Sequence, residues 1–121
     1  MADVETVLAP WLEARFNVFA AAETPADLED TLPVIRVERV AGADGRFGQT
    51  PAVAVDVFAA TADEARTLSD QVREALVFLS GPVPGAVVRS VRCISGPTRQ
   101  PWANEAVHRR GATYIVGLRA A

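Results

Sequence analysis

The sequence has no lysine, and its 121 residues include one cysteine, one histidine, one methionine and few aromatic residues. A single cysteine, Cys93, excludes an intrachain disulfide framework and suits a reducing compartment. With His108 as the only histidine, soft ligands are too few for a zinc site. No apolar run approaches the roughly 20 residues needed to span a bilayer, and the first residues lack a basic, apolar, small-residue leader pattern. A formal charge of −3 argues against a generic nucleic-acid binder held by phosphate neutralisation. Half the residues are hydrophobic and 22% are charged, too apolar for a disordered chain. The expectation is one globular domain over residues 1–121, soluble and made inside a cell, with no cofactor.

What is present is arginine, alanine and valine. Twelve arginines and heavy use of alanine and valine match a GC-rich coding sequence. Arginine is also the cation best suited to bidentate contacts at interfaces. The charges are segregated along the chain. Residues 1–31 hold seven acids against Arg15, a net of −6, whereas residues 89–121 hold six arginines against Glu105, a net of +5. The middle carries −2. The two ends can pair within one subunit or between neighbours.

Val4, Val7, Leu8, Trp11 and Leu12 follow the helical period, and Asp3 is placed to cap the start. Pro10 should kink that helix unless its regular part begins at about Thr6. Residues 17–22 read as a short strand, and Thr24-Pro25-Ala26-Asp27 as a capped helical turn with proline at its first position. A strand follows over 33–40. Residues 41–50 carry three glycines and an Asp44-Gly45 pair, longer than a tight hairpin needs, so a projecting hairpin arm is expected. Val53, Val55 and Val57 alternate through the next strand, with Asp56 on its other face. Thr61-x-x-Glu64 is a capping box opening a second helix whose apolar face is Ala65, Leu68, Val72, Ala75, Leu76 and Leu79. Strands over 86–94 and 112–119, with a long loop over 96–111 between them, complete the chain. The expected fold is α+β: a mainly antiparallel sheet of four to five strands, two helices packed on one face, and a long hairpin arm.

Chemical motifs fail one by one. Gly42, Gly45 and Gly48 lie between two strands, without the helix that a phosphate loop feeds. No nucleophile elbow surrounds Ser80, Ser90 or Ser95. Cys93 and His108 are an imaginable thiolate pair, but Cys93 sits in an apolar strand and reads as a small core residue. Asp27, Glu29 and Asp30 lack a calcium-loop pattern and read as a solvated face. Neither a catalytic residue nor a metal ligand is expected. The informative stretch runs from Arg99 through Trp102 and Asn104 to His108, Arg109 and Arg110. Tryptophan flanked by arginines is the composition of protein-binding hot spots. The alternative is that Trp102 folds back to cover the sheet edge, with Arg109 and Arg110 merely keeping it soluble.

At these residues the chain resembles a known family. Val88 to Val91 leading into Ser95-Gly96-Pro97, then Pro101-Trp102 with Asn104, then Arg109-Arg110-Gly111-Ala112-Thr113-Tyr114, resemble the tail terminator proteins of long-tailed (siphovirus-type) phages, notably those of high-GC actinobacteria. Asp27-Leu28-Glu29-Asp30-Thr31-Leu32-Pro33-Val34 and the arm around Asp44-Gly45-Arg46-Phe47 are similar too, so the likeness spans nearly the whole chain. The resemblance implies a structural virion protein at the neck-proximal end of the tail. Such a protein forms a ring, typically a hexamer, that caps the tail tube, ends its polymerisation and joins it to the head. Implied partners are further copies of itself, the major tail tube protein and the head-tail connector or neck proteins, with DNA only as cargo and no membrane. The expected interface residues are Asp44, Arg46 and Phe47 on the arm, and Arg99, Trp102, Asn104, Arg109 and Arg110 on the later loop. Rival readings are another neck or tail component (head-completion or tube-like), a small dimeric ligand-binding α+β domain, and an enzyme using Cys93 or His108.

Overall fold

A computed structural model describes residues 3–45 and 48–120, with the side chains of 43–45 left aside. Among the described residues the elements are α1 (Val4–Phe16), β1 (Phe19–Ala21), α2 (Leu28–Thr31), β2 (Val34–Gly45), β3 (Gly48–Ala59), α3 (Ala62–Val77), β4 (Gly81–Val83), β5 (Ala86–Gln100) and β6 (His108–Ala120). They build an α+β fold around one six-stranded sheet in the order β1-β2-β3-β6-β5-β4. The sheet is mixed, because β1 runs parallel to β2 while every other neighbouring pair is antiparallel. Six strands replace the four to five expected, and three helices replace two. The additions are short: β4 spans Gly81–Val83 and α2 only Leu28–Thr31, too few residues for a periodic signal.

Local chemistry explains the two long helices. Asp3 caps α1 by accepting from the Glu5 N–H at 3.0 Å, and Thr61 caps α3 by accepting from the Glu64 N–H at 3.1 Å. The first helix starts at Val4 despite Pro10. Pro10 is solvent-exposed, so water can satisfy the carbonyl that its missing N–H leaves unpaired. Asn17, in the left-handed conformation, ends α1 by donating its N–H to Glu13 O at 2.8 Å. The helical turn expected over 24–27 lies further on. Asp27 precedes it and makes no side-chain cap.

Alternation sorts the sheet into two faces. Ile35, Val37, Val53, Val55, Val57, Tyr114, Val116 and Leu118 pack with Val4, Leu8 and Leu12 of α1 and Val72 and Leu76 of α3 in one core. Both long helices therefore share a face, as expected. Val34 and Phe58, paired across β2 and β3, point the other way and meet Val107, Leu28, Leu32 and Trp102 in a second, smaller cluster. The short α2 thus serves the opposite face.

Both long loops prove shorter. Residues 41–50 are mostly strand: Ala43 pairs with Thr50, Asp44 with Gln49 and Gly45 with Gly48. The hairpin is no free arm, because Gln49 also pairs with Leu118 of β6. A bulge between Arg39 and Ala41 absorbs the irregularity that glycine content alone suggested as loop. Likewise β5 continues to Gln100 and β6 begins at His108, leaving 101–107 as the connection. Register shifts around Ser95 let Gly96 and Pro97 pass through the ladder.

Candidate functional site

Arg36, Asp56 and Gly111 form one cross-strand row on β2, β3 and β6, and Val34, Phe58 and Arg109 form the row beside it. Cross-strand neighbours on one face touch, and here the contacts are ionic and aromatic. Arg36 Nη2 donates to Asp56 Oδ2 at 2.8 Å, and Arg109 Nε donates to Asp56 Oδ1 at 3.1 Å. Asp56 is buried, so its charge is held by two partners, as a buried carboxylate requires. Gly111 makes room for it: a Cβ there would lie 2.6 Å from Asp56 Oδ1.

Trp102 closes this cluster. Its ring meets Phe58 edge to face, with centroids 4.7 Å apart and planes at 69°. Both guanidinium groups lie against the same two rings: Arg36 Cζ is 5.4 Å from Phe58 and 5.8 Å from Trp102, and Arg109 Cζ is 6.0 Å and 5.7 Å from them. Trp102 therefore folds back and is half-buried, over the inner strands β2, β3 and β6 and not at the sheet edge. Arg109 is held by Asp56 rather than merely keeping the ring soluble. Asn104 organises the connection, accepting from the Ala106 N–H at 2.9 Å and donating its amide to Glu29. Arg109 also donates to Pro101 O at 3.5 Å, and Arg110 donates to Pro97 O at 3.2 Å.

The 101–107 connection stands as a wedge between two hollows. On one side Arg99, His108, Arg109 and Arg110, with Glu105, line a space of about 640 Å³ that reaches the first turn of α3. On the other side Asp27, Glu29 and Asp30, with Asn104, line a space of about 540 Å³. Trp102 and Val107 line both. One hollow is basic and its neighbour acidic.

Of the expected interface residues, Arg99, Trp102, Asn104, Arg109 and Arg110 thus come together around one connection. Arg46 and Phe47 lie outside the described residues, as does the side chain of Asp44. Asp44 belongs to β2, at the opposite end of the β2–β3 hairpin from Phe58, so arm and connection are separate places. Cys93 and His108 are not brought together. Cys93 is the register partner of Tyr114, six residues along β6 from His108, or about 20 Å at the strand rise. The Cys93 thiol instead donates to Gly96 O at 3.4 Å. Among the described residues no group of three His, Cys, Asp or Glu side chains is placed to hold a metal ion. Among them, too, no helix is long and apolar enough to cross a membrane.

Two features escaped the sequence. The Arg36–Asp56–Arg109 cluster joins residues 20 and 53 positions apart; an acid in the middle of an alternating valine strand was its one trace. Phe78, just after α3, is 81% exposed beside Trp11, Arg15 and Phe16, and nothing local distinguished it from a core residue. The sequence matches no protein-family model and no curated protein.

Proposed function

We propose that this chain is a phage tail terminator: a structural virion protein that assembles as a ring, caps the head-proximal end of the tail tube and joins tail to head, with no chemistry of its own. The reading starts from the motif likeness, and one structural observation carries it further. Among the described residues, no ion pair joins the acidic 3–31 segment to the basic 89–120 segment. Apart from Arg109, which Asp56 holds, these segregated charges are left unmatched by one another within the subunit, which favours complementarity between subunits. Two different, complementary patches are what a closed ring of heterologous interfaces needs. The net charge of −3 also suits a channel through which DNA must slide without being held.

Another neck or tail component shares these arguments, since a fold of this size does not fix a role. The ligand-binding alternative has the basic hollow beside Trp102 in its favour. Assembly behaviour separates the three. Mass in solution, followed by negative-stain imaging with and without tail tubes, should show rings, or subunits that gather only at one tube end. Long filaments would make it a tube protein, and a stable dimer indifferent to tube ends would make it a small binding domain.

A further inference from the structure

The two hollows beside the 101–107 wedge differ in charge, and although Asp56 holds Arg109 and Glu105 lines the basic side, each hollow keeps charged side chains that no opposite charge meets among the described residues. On the acidic side, Asp27 and Asp30 are exposed and have no cationic partner among the described residues, while Glu29 receives only the neutral Asn104 amide. On the basic side, Arg99 is exposed and has no acidic partner among the described residues. Arg110 is bound only to a carbonyl, and its buried Nε has no acceptor. The wedge itself, through Trp102 and Val107, stands between the acids and these arginines.

We infer that the acidic turn Asp27–Asp30 of one copy seats in the arginine hollow of the next, with Arg99 and Arg110 meeting Asp27 and Asp30. The occupant is a second copy of this chain because the complement of each patch is on the chain itself. Its acid-rich and arginine-rich segments carry −6 and +5. Guanidinium groups suit the task, since they grip carboxylates through paired N–H donors. The geometry is head-to-tail. A reciprocal two-fold pair would seat both acidic turns at once and stop there, whereas a ring requires that each docked copy leave one patch of each kind open, so that association continues from copy to copy until it closes. This inference rests on the ring-forming role proposed above and adds the surfaces that make the contact.

Two exposed positions test it without touching the Asp56 cluster. Asp30→Arg sets a positive charge against Arg99 of the next copy, and Arg99→Glu sets a negative charge against Asp30 of the next copy. Sedimentation of the wild-type protein should show association that weakens as salt is raised above about 0.1 M. Each variant alone should associate about tenfold more weakly or worse. An equimolar mixture should recover assembly, because each altered patch then finds an opposite charge on the other variant. Thermal melts of both variants, expected to match wild type, exclude misfolding as the cause.

A mixture that fails to recover, a variant that assembles as wild type does, or wild-type association indifferent to salt overturns the interface. So does binding of inorganic phosphate in the hollow while assembly of the Arg99→Glu protein is untouched. Rings that persist unchanged in both variants would remove this interface and leave the capping role standing. Wild-type filaments, or a wild-type dimer of two-fold symmetry, would remove the capping role itself.

Discussion

Asp56 and Gly111 face each other across the β3–β6 ladder, so closely that the Asp56 carboxylate occupies the space a side chain at 111 would need. Two arginines hold that carboxylate from either side, so it cannot swing away without breaking a buried ion pair. Gly111→Ala should therefore cost about 1–3 kcal/mol, the range for overpacking a filled interior. Urea unfolding measures it. The same alanine should cost less in an Asp56→Ala background, because the carboxylate is the severe contact and Gln100 Cγ, 3.2 Å from that Cβ, the milder one. Equal cost in both backgrounds would show that the collision is with something else.

Asp56→Asn keeps the shape and removes the charge. Arg36 and Arg109, each about one-fifth exposed at the side chain, would be left facing each other without a counter-charge. The expected loss is about 3 kcal/mol, the lower end for breaking a buried pair because the arginines retain some water. Trp102 stacks on both guanidinium groups. In a Trp11→Phe background its emission should shift to the red as the cluster loosens. Unchanged stability and emission would mean that the aromatic contacts alone hold the arginines.

Tyr114 is the only tyrosine and is buried. Desolvation pushes its hydroxyl well above the ordinary tyrosine range, and the neighbouring Cys93 acts in the same direction while Arg73 opposes it. The folded protein therefore keeps a proton that the unfolded chain releases near the ordinary value of about 10. Stability should be intact below that pH and fall as pH rises beyond it. Phenolate absorbance should appear together with unfolding rather than before it, and Tyr114→Phe should flatten the decline. A phenolate signal from fully folded protein would show that water reaches the ring.

The Thr61 hydroxyl closes the first turn of α3. Thr61→Ala should lower stability by about 1 kcal/mol, whereas Thr61→Ser should cost little. Chemical denaturation of the pair settles whether the cap or the methyl group matters.

The same cap shows what a sequence displays openly. The third helix was legible because Thr61, Glu64 and the stripe from Ala65 to Leu76 are local signals that agree with one another. The first helix was legible for the same reason, although the exposed side of Pro10 was not. Strand content was harder. Gly42, Gly96 and Pro97 are turn formers by habit, yet here they sit within or beside bulges of long strands, held there by pairing with residues far along the chain. The short β4, Gly81–Val83, contains a proline at an edge and is defined only by its partner β5. At the candidate site, composition drew attention to Trp102 and its arginines. It did not reveal that Arg109 turns inward to Asp56, because Asp56 enters that neighbourhood through sheet register alone.

The placement of β6 between β3 and β5 has a consequence for biogenesis. As the chain leaves the ribosome, β1 to β3 emerge first and β4 with β5 later, as two ribbons that share no strand. Each presents a bare edge until the sixth strand inserts and zips them together. Closure at such long separations in sequence is slow, and open edges invite pairing with other chains in the interval. High-level expression should thus carry a risk of edge-to-edge aggregation that the finished subunit, with β3 and β5 both covered by β6, no longer has at those edges.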